Sequence, residues 1–271
     1  MEVNGKRIVV TGGASGLGEG MCRRFHDLGA AGIVVADINV GGAARVAREV
    51  GGLAVGCDVG KEDDIVSLVA QAAAHLGGID LFCSNAGYAS GAGLDTPTAL
   101  TLDMFNVHVM AHVWAARETV PGMLAQGGGY LLNTISAAGL ISGPTPLPYV
   151  TTKHASFGFA EWCGINLKPM GIGISAFCPS AVDTPGFRLP PGATERVAIM
   201  PMLTIEECMD SVVDGLAREA FMILPRPEVA QMWADRGNDY DAWIAQMADT
   251  FGGRLSRTGC RPLSWTVRRP Q

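Results

Sequence analysis

The sequence has no Cys-x-x-Cys pair, and its seven cysteines are an odd number, most of them set in apolar segments. That argues against a disulfide framework and for reduced thiols in a core. No apolar run approaches the ~18 residues that a membrane helix needs. There is no basic run, and the net charge is -6, which argues against a nucleic-acid or membrane-surface partner. The amino-terminal stretch MEVNGKRIVVTGG lacks the charged-then-apolar layout of a secretion signal and leads directly into a strand pattern. A cytoplasmic location is the expectation that follows.

What is present is a large apolar fraction. Of 271 residues, 48% are hydrophobic, ample for one sizeable core, and the 36 glycines fall at turns and strand ends rather than in a repeat. Short β-branched-rich runs occur at 7–12, 32–37, 53–59, 79–87, 130–136 and 173–180, with a shorter one at 221–225. Amphipathic stretches such as KEDDIVSLVAQAAAHLG, with acids in the first turn, separate them. Strands that are apolar on both faces belong to a parallel sheet between helix layers. The pattern predicts one α/β domain: a Rossmann-type, doubly wound parallel sheet of about seven strands with helices on both faces. Residues 1–225 form its body. Residues 226–271 read as a helical extension followed by an irregular, basic tail.

The first strand runs into TGGASGLG, residues 11–18. Gly12, Gly16 and Gly18 let backbone amides approach a pyrophosphate at a helix N-terminus, although the spacing differs from G-x-G-x-x-G. Asp37 ends the second strand 19 residues after Gly18, close to the ~20 expected for an acid holding a ribose 2′-hydroxyl. No Lys or Arg occurs at 8–22 or 38–44 to receive a 2′-phosphate, so the residues favour NAD over NADP.

Further along, PYVTTKHA puts Tyr149 and Lys153 one helical turn apart. A cation beside a phenol favours the phenolate, so the pair suits proton transfer. It also suits an aromatic ring resting on a lysine stem, and the spacing alone leaves both readings open.

TGGASGLG, Asp37, the CDV of 57–59, the NAG of 85–87, Ser136, Tyr149-x-x-x-Lys153 and the CPSAVDT of 178–184 stand in a family order. Over about residues 1–225 the chain resembles the short-chain dehydrogenase/reductase family, whose pattern also places a serine 13 residues before the tyrosine, here Ser136. The resemblance implies that Tyr149 is the general acid/base. It implies that Lys153 lowers the phenol's pKa and holds the nicotinamide ribose, and that Ser136 bonds the substrate oxygen. NAD would rest on Gly12, Ser15, Gly16, Leu17, Gly18 and Asp37. Asp58 would contact adenine by its side chain and Val59 by its backbone, with Asn85, Ala86 and Gly87 along the adenosine side. Val182 and Thr184 would receive the nicotinamide amide.

Two departures from the family stand out. Ser180 replaces the usual glycine after Pro179, and His108 falls where the family's catalytic asparagine belongs. That asparagine kinks its helix and holds, through its backbone carbonyl, a water bonded to the lysine. At His108 the carbonyl remains available for this. The imidazole, beside Lys153, is expected to be neutral and to stand in for the asparagine as a hydrogen-bonding or relay group. His108 and His112 are four apart, but with no Glu between them and no third ligand a metal site is not expected.

The expected reaction is hydride transfer between NAD and a hydrophobic secondary alcohol or ketone. The alternatives are an NAD-binding regulatory or scaffold protein that has lost the chemistry, and epimerisation or dehydration on the same fold. The pocket wall is read from 88–94, 137–148 and a lid at 185–203 whose charges are Arg188, Glu195 and Arg196. Apolar residues on several faces of the helices near 101–126 and 149–168, among them Met104, Phe105, Trp114, Phe157 and Trp162, predict a homodimer or homotetramer.

Overall fold

The computed structural model describes residues 1–143, 145–184 and 201–251. The expected lid charges Arg188, Glu195 and Arg196, the tail from 252 and Cys260 lie outside the described residues.

Seven parallel strands form one sheet in the order β3-β2-β1-β4-β5-β6-β7. They are β1 (Arg7–Thr11), β2 (Gly32–Asp37), β3 (Leu53–Gly56), β4 (Leu81–Ser84), β5 (Gly129–Thr134), β6 (Ile172–Phe177) and β7 (Met222–Ile223). The order reverses between β1 and β4, where open α/β sheets leave a crevice above the strands' carboxyl ends. Alternation within each strand explains the continuous apolar runs. Ile33 and Val35 of β2 face α1 (Gly16–Asp27), α2 (Val40–Glu49) and α7 (Ile205–Ala217). Val34 and Ala36 face the other layer, with α3 (Glu62–Leu76), α5 (Ala111–Ala125) and α6 (Leu147–Leu167).

The helix before α5 is not uniform. After α4 (Thr98–Phe105), residues Asn106–Met110 form a π-helical turn that carries His108, and α5 then continues. Such turns insert one residue into the helical ladder and are frequent at functional sites.

The extension read as one helix is two, α8 (Pro227–Asn238) and α9 (Tyr240–Phe251), parted at an extended Asp239 whose Oδ1 accepts from the Ala242 N–H at 2.9 Å. Both pack on their own chain. Val229 and Trp243 are buried with Ile135, Ala137, Leu140 and Ala160, so a third core joins the carboxyl end of β5 to α6 and the extension.

The faces predicted to be covered by a partner are partly covered from within. Met104, Val109 and Trp114 are buried, and Phe157 packs against Phe221 and Trp233. Leu102, Trp162 and Ile165 stay exposed, at 59%, 58% and 69%. No helix among the described residues is long and apolar enough to cross a membrane.

Candidate active site

At the β1 end, the glycines are required by close approach. A Cβ on Gly18 would stand 2.0 Å from the Gly12 carbonyl oxygen, and one on Gly12 would stand 2.8 Å from Ala86 Cα. Gly12 and Gly16 also take positive φ, at 67° and 55°. Ser15 is the N-cap of α1, and its side chain accepts no capping hydrogen bond from the described residues. The first-turn amides around Gly16, Leu17 and Gly18 thus belong to a turn with no side-chain cap, the arrangement that suits an anion.

Asp37 turns back to this loop. Its Oδ2 accepts from the Ala14 N–H at 3.0 Å and its Oδ1 from the Asn39 N–H at 2.8 Å. The stretch 38–44 holds no cation, but the next residue does. Arg45 donates to the Ala14 carbonyl at 3.1 Å and forks onto both oxygens of Glu19, at 2.9 and 2.8 Å. Sequence inspection stopped one residue short of it.

Asp58 accepts from the Gly60 N–H at 3.0 Å, and Val59 is buried in the core of the α3 layer. Asn85 works beneath the turn: its backbone N–H donates to Thr11 Oγ1 at 2.9 Å and its Nδ2 to the Thr11 carbonyl at 3.0 Å. The Ala86 N–H shares Thr11 Oγ1 at 3.2 Å. These bonds tie β4 to β1. Val182 is buried and bridges to Leu203, while Thr184 closes against Gly16, where a Cβ would meet its methyl at 3.4 Å. The loop after β6 thereby meets the glycine turn.

The catalytic candidates converge at the β5–α6 end. Lys153 is buried, its Nζ donates to the Thr134 carbonyl at 3.1 Å, and it lies 5.7 Å from the centroid of the Tyr149 ring. Gly87 faces them: a Cβ there would stand 3.2 Å from His108 Nε2 and 3.6 Å from Lys153 Nζ. Ser136 Oγ accepts from the Ala138 N–H at 3.1 Å and donates to the Pro179 carbonyl at 3.4 Å.

Burial dominates the electrostatics here. It pushes the Tyr149 phenol above its usual value, and the hydrogen bond with Ser136 opposes this only in part. It pulls the Lys153 ammonium down to about 8. Low dielectric acts on both groups through the same term, disfavouring each charged form.

His108 is fully buried on the π turn and committed at both ring nitrogens. Nε2 accepts from the Tyr88 N–H at 3.2 Å, which leaves the proton on Nδ1 to donate to Thr152 Oγ1 at 2.8 Å. Thr152 Oγ1 donates in turn to the Pro148 carbonyl at 2.8 Å. The ring meets Tyr149 edge-on, centroids 5.6 Å apart and planes at 90°. Burial first, then Lys153, then His112 hold its pKa well below the usual histidine value. Neutral His108 follows, as expected, although the leading cause is burial rather than the lysine.

Ser156 Oγ donates to the His108 carbonyl at 2.7 Å, which takes one of its two lone pairs and leaves the other for a further donor. Ser156 and Thr152 escaped the sequence reading, and Tyr88 entered it only as pocket wall, since each acts here through contacts distant in sequence. His112, one turn on, has no partner for either nitrogen among the described residues, and burial lowers its pKa to about 3. No group of three or more His, Cys, Asp or Glu that could hold a metal is found among the described residues.

The signature described as short chain dehydrogenase matches residues 6–189, which hold the turn, the Tyr149–Lys153 pair and the switch-point crevice. The chain belongs to the short-chain dehydrogenase family. Epidermal retinol dehydrogenase 2 of Mus musculus is 30% identical over 83% of this chain and 75% of its own length. 1-Deoxy-11-beta-hydroxypentalenate dehydrogenase of Streptomyces exfoliatus is 30% identical over 88% of this chain and 90% of its own. The crystal structure of a short chain dehydrogenase/reductase from Burkholderia phymatum in complex with NAD superposes with a TM-score of 0.79. It is 26% identical and covers 89% of this chain and 96% of that one. The seven-stranded parallel sheet is thus a family trait.

Proposed function

We propose that the protein is an NAD-dependent oxidoreductase acting on a hydrophobic secondary alcohol or its ketone, with Tyr149 as general acid/base. The observation that carries this reading is the convergence of buried Lys153 with the half-buried Tyr149 and Ser136 at the carboxyl ends of the strands, Lys153 Nζ 5.7 Å from the Tyr149 ring centroid and beside Gly87.

The residues present fit the dinucleotide. The cradle of Gly12, Gly16 and Gly18 excludes any side chain, and the turn that follows has no side-chain cap of its own. Its amides would hold the pyrophosphate, Asp37 a ribose hydroxyl, and Lys153 the second ribose. When bound, NAD supplies the hydride acceptor or donor. The chain's own part is the proton. The neutral Tyr149 phenol donates its hydroxyl proton to the carbonyl oxygen during reduction, and its phenolate takes the hydroxyl proton of the alcohol during oxidation. Ser136 fixes that oxygen, and neutral His108 braces the edge of the Tyr149 ring. The relatives named for retinol and for a hydroxypentalenate support an apolar alcohol.

The exposed Leu102, Trp162 and Ile165 support assembly into a homodimer or homotetramer through α4 and α6. A cytoplasmic location agrees with the buried, free cysteines among the described residues. The test of function is NADH formation with a panel of apolar secondary alcohols. Dinucleotide binding with no turnover of any of them would favour the regulatory reading instead.

A further inference from the structure

We propose that Glu19 is a second determinant of dinucleotide choice, because it holds Arg45, the cation beside the glycine turn, away from the position of an adenosine 2′-phosphate. The inference rests on the reading of Asp37 as the residue that meets the adenosine ribose, and extends it to a charge that the sequence window missed.

Arg45 and Asp37 grip opposite ends of one residue. The Ala14 N–H donates to Asp37 at 3.0 Å, and the Ala14 carbonyl accepts from Arg45 at 3.1 Å. Given backbone dimensions, the guanidinium and the carboxylate lie within about 10 Å of each other, inside the reach of an arginine side chain that changes rotamer. A close contact sets this distance: a Cβ on Gly42 would stand 2.8 Å from Ala14 Cβ, so α2 lies directly against the turn.

The guanidinium is nonetheless closed to a ligand. Both of its terminal nitrogens are paired with Glu19, and Nη1 also reaches Glu49 at 3.2 Å. Arg23 completes the group, at 2.7 Å from Glu19 and 2.8 Å from Glu49. Two carboxylates and two guanidiniums cancel, and Asp37 leaves the corner with one net negative charge. A 2′-phosphate arriving there meets repulsion from Asp37 and finds Arg45, the guanidinium bonded to the turn at the Ala14 carbonyl, neutralised by a bidentate partner. Glu19 is 20% exposed and its partners Arg23 and Arg45 are 52% and 44% exposed, so the isosteric Glu19→Gln tests the charge with little change in packing.

The test is calorimetric titration of ADP-ribose and of its 2′-phosphate, which reads the adenosine end without any turnover. Asp37→Ala should narrow the preference for the unphosphorylated ligand about tenfold. Glu19→Gln added to it should raise affinity for the 2′-phosphate by about a further tenfold, and Arg45→Met in that double variant should remove the gain. No gain from Glu19→Gln, or a gain that survives Arg45→Met, overturns the role of Glu19. An unchanged preference in Asp37→Ala overturns the reading of Asp37 beneath it, and a loss confined to the Arg45 arm still supports Glu19.

Discussion

Around β1 and β2 the crevice is built of backbone: glycines that exclude side chains, amides at a helix start, and carboxylates held by N–H groups at 2.8 to 3.0 Å. Around β5 and α6 it is built of buried side chains, with Lys153 3% exposed and His108 fully enclosed. The first region gains specificity from shape, with its charged groups near water and paired. The second gains reactivity from burial, and its groups Tyr149, Lys153, His108 and His112 all move toward their neutral forms. Position within one crevice thus separates a place to hold an anion from a place to move a proton.

The largest test of that contrast is Tyr149→Phe. It should lower kcat by about 10³-fold or more while dinucleotide affinity changes little. A variant retaining a tenth of the rate would remove the phenol from the chemistry. Because burial raises this phenol, oxidation of alcohol should speed up as pH rises toward 10, where the fraction of phenolate grows, and ketone reduction should slow. Next comes Gly18→Ala in the other region. Its methyl would stand 2.0 Å from a carbonyl oxygen, so about 1–3 kcal/mol of stability should be lost together with most dinucleotide affinity. A normal melting curve with normal affinity would mean that the turn is not tight.

His108 gives a smaller effect, read as a kcat loss of about tenfold or more in His108→Leu. His108→Asn should recover most of the rate, since an amide can still accept from Tyr88 and donate to Thr152. Equal rates for His108→Leu and the unmutated protein across pH 6 to 10 would reduce the ring to packing. Smallest is His112→Leu, expected to stabilise by about 1 kcal/mol at pH 7, because two unpartnered buried nitrogens are removed. The sign with pH is fixed. The folded pKa lies near 3, so below about 6.5 the unfolded chain binds a proton that the folded one refuses, and the unmutated protein loses stability as pH falls. The melting-temperature gap should therefore widen from pH 6.5 to 5, and a gap that closes would contradict it.

The body of the fold was legible because each strand is apolar on both faces, and β2 has the same bounds in the pattern and in the structure. The glycine turn and the Tyr-Lys pair were legible because their spacing is local. Asn85 was read as lining the adenosine side, yet it ties two strands across 74 residues of sequence. Ser156 reaches a carbonyl 48 residues earlier, and no local pattern announces that. The π turn at Asn106–Met110 reads as ordinary helix in any window of apolar residues. The break at Asp239 was missed although the Gly237-Asn238-Asp239 run supplies the composition of a turn.

The extension on α8 and α9 has a consequence for the order in which the chain matures. Arg236 donates to the Leu140 carbonyl beside the catalytic loop and to the Tyr240 hydroxyl at 2.7 Å, while Trp243 closes the core beneath Ile135. Ribosomes release a chain amino end first, at ~5–20 residues per second. The glycine turn draws on β1, β2 and β4, made early, and on Thr184, which also precedes α8. The loop that carries Ser136 waits for residues made seconds later. A nascent chain therefore closes its turn before it can lock its serine, and a stop codon after Arg226 would leave that second step undone.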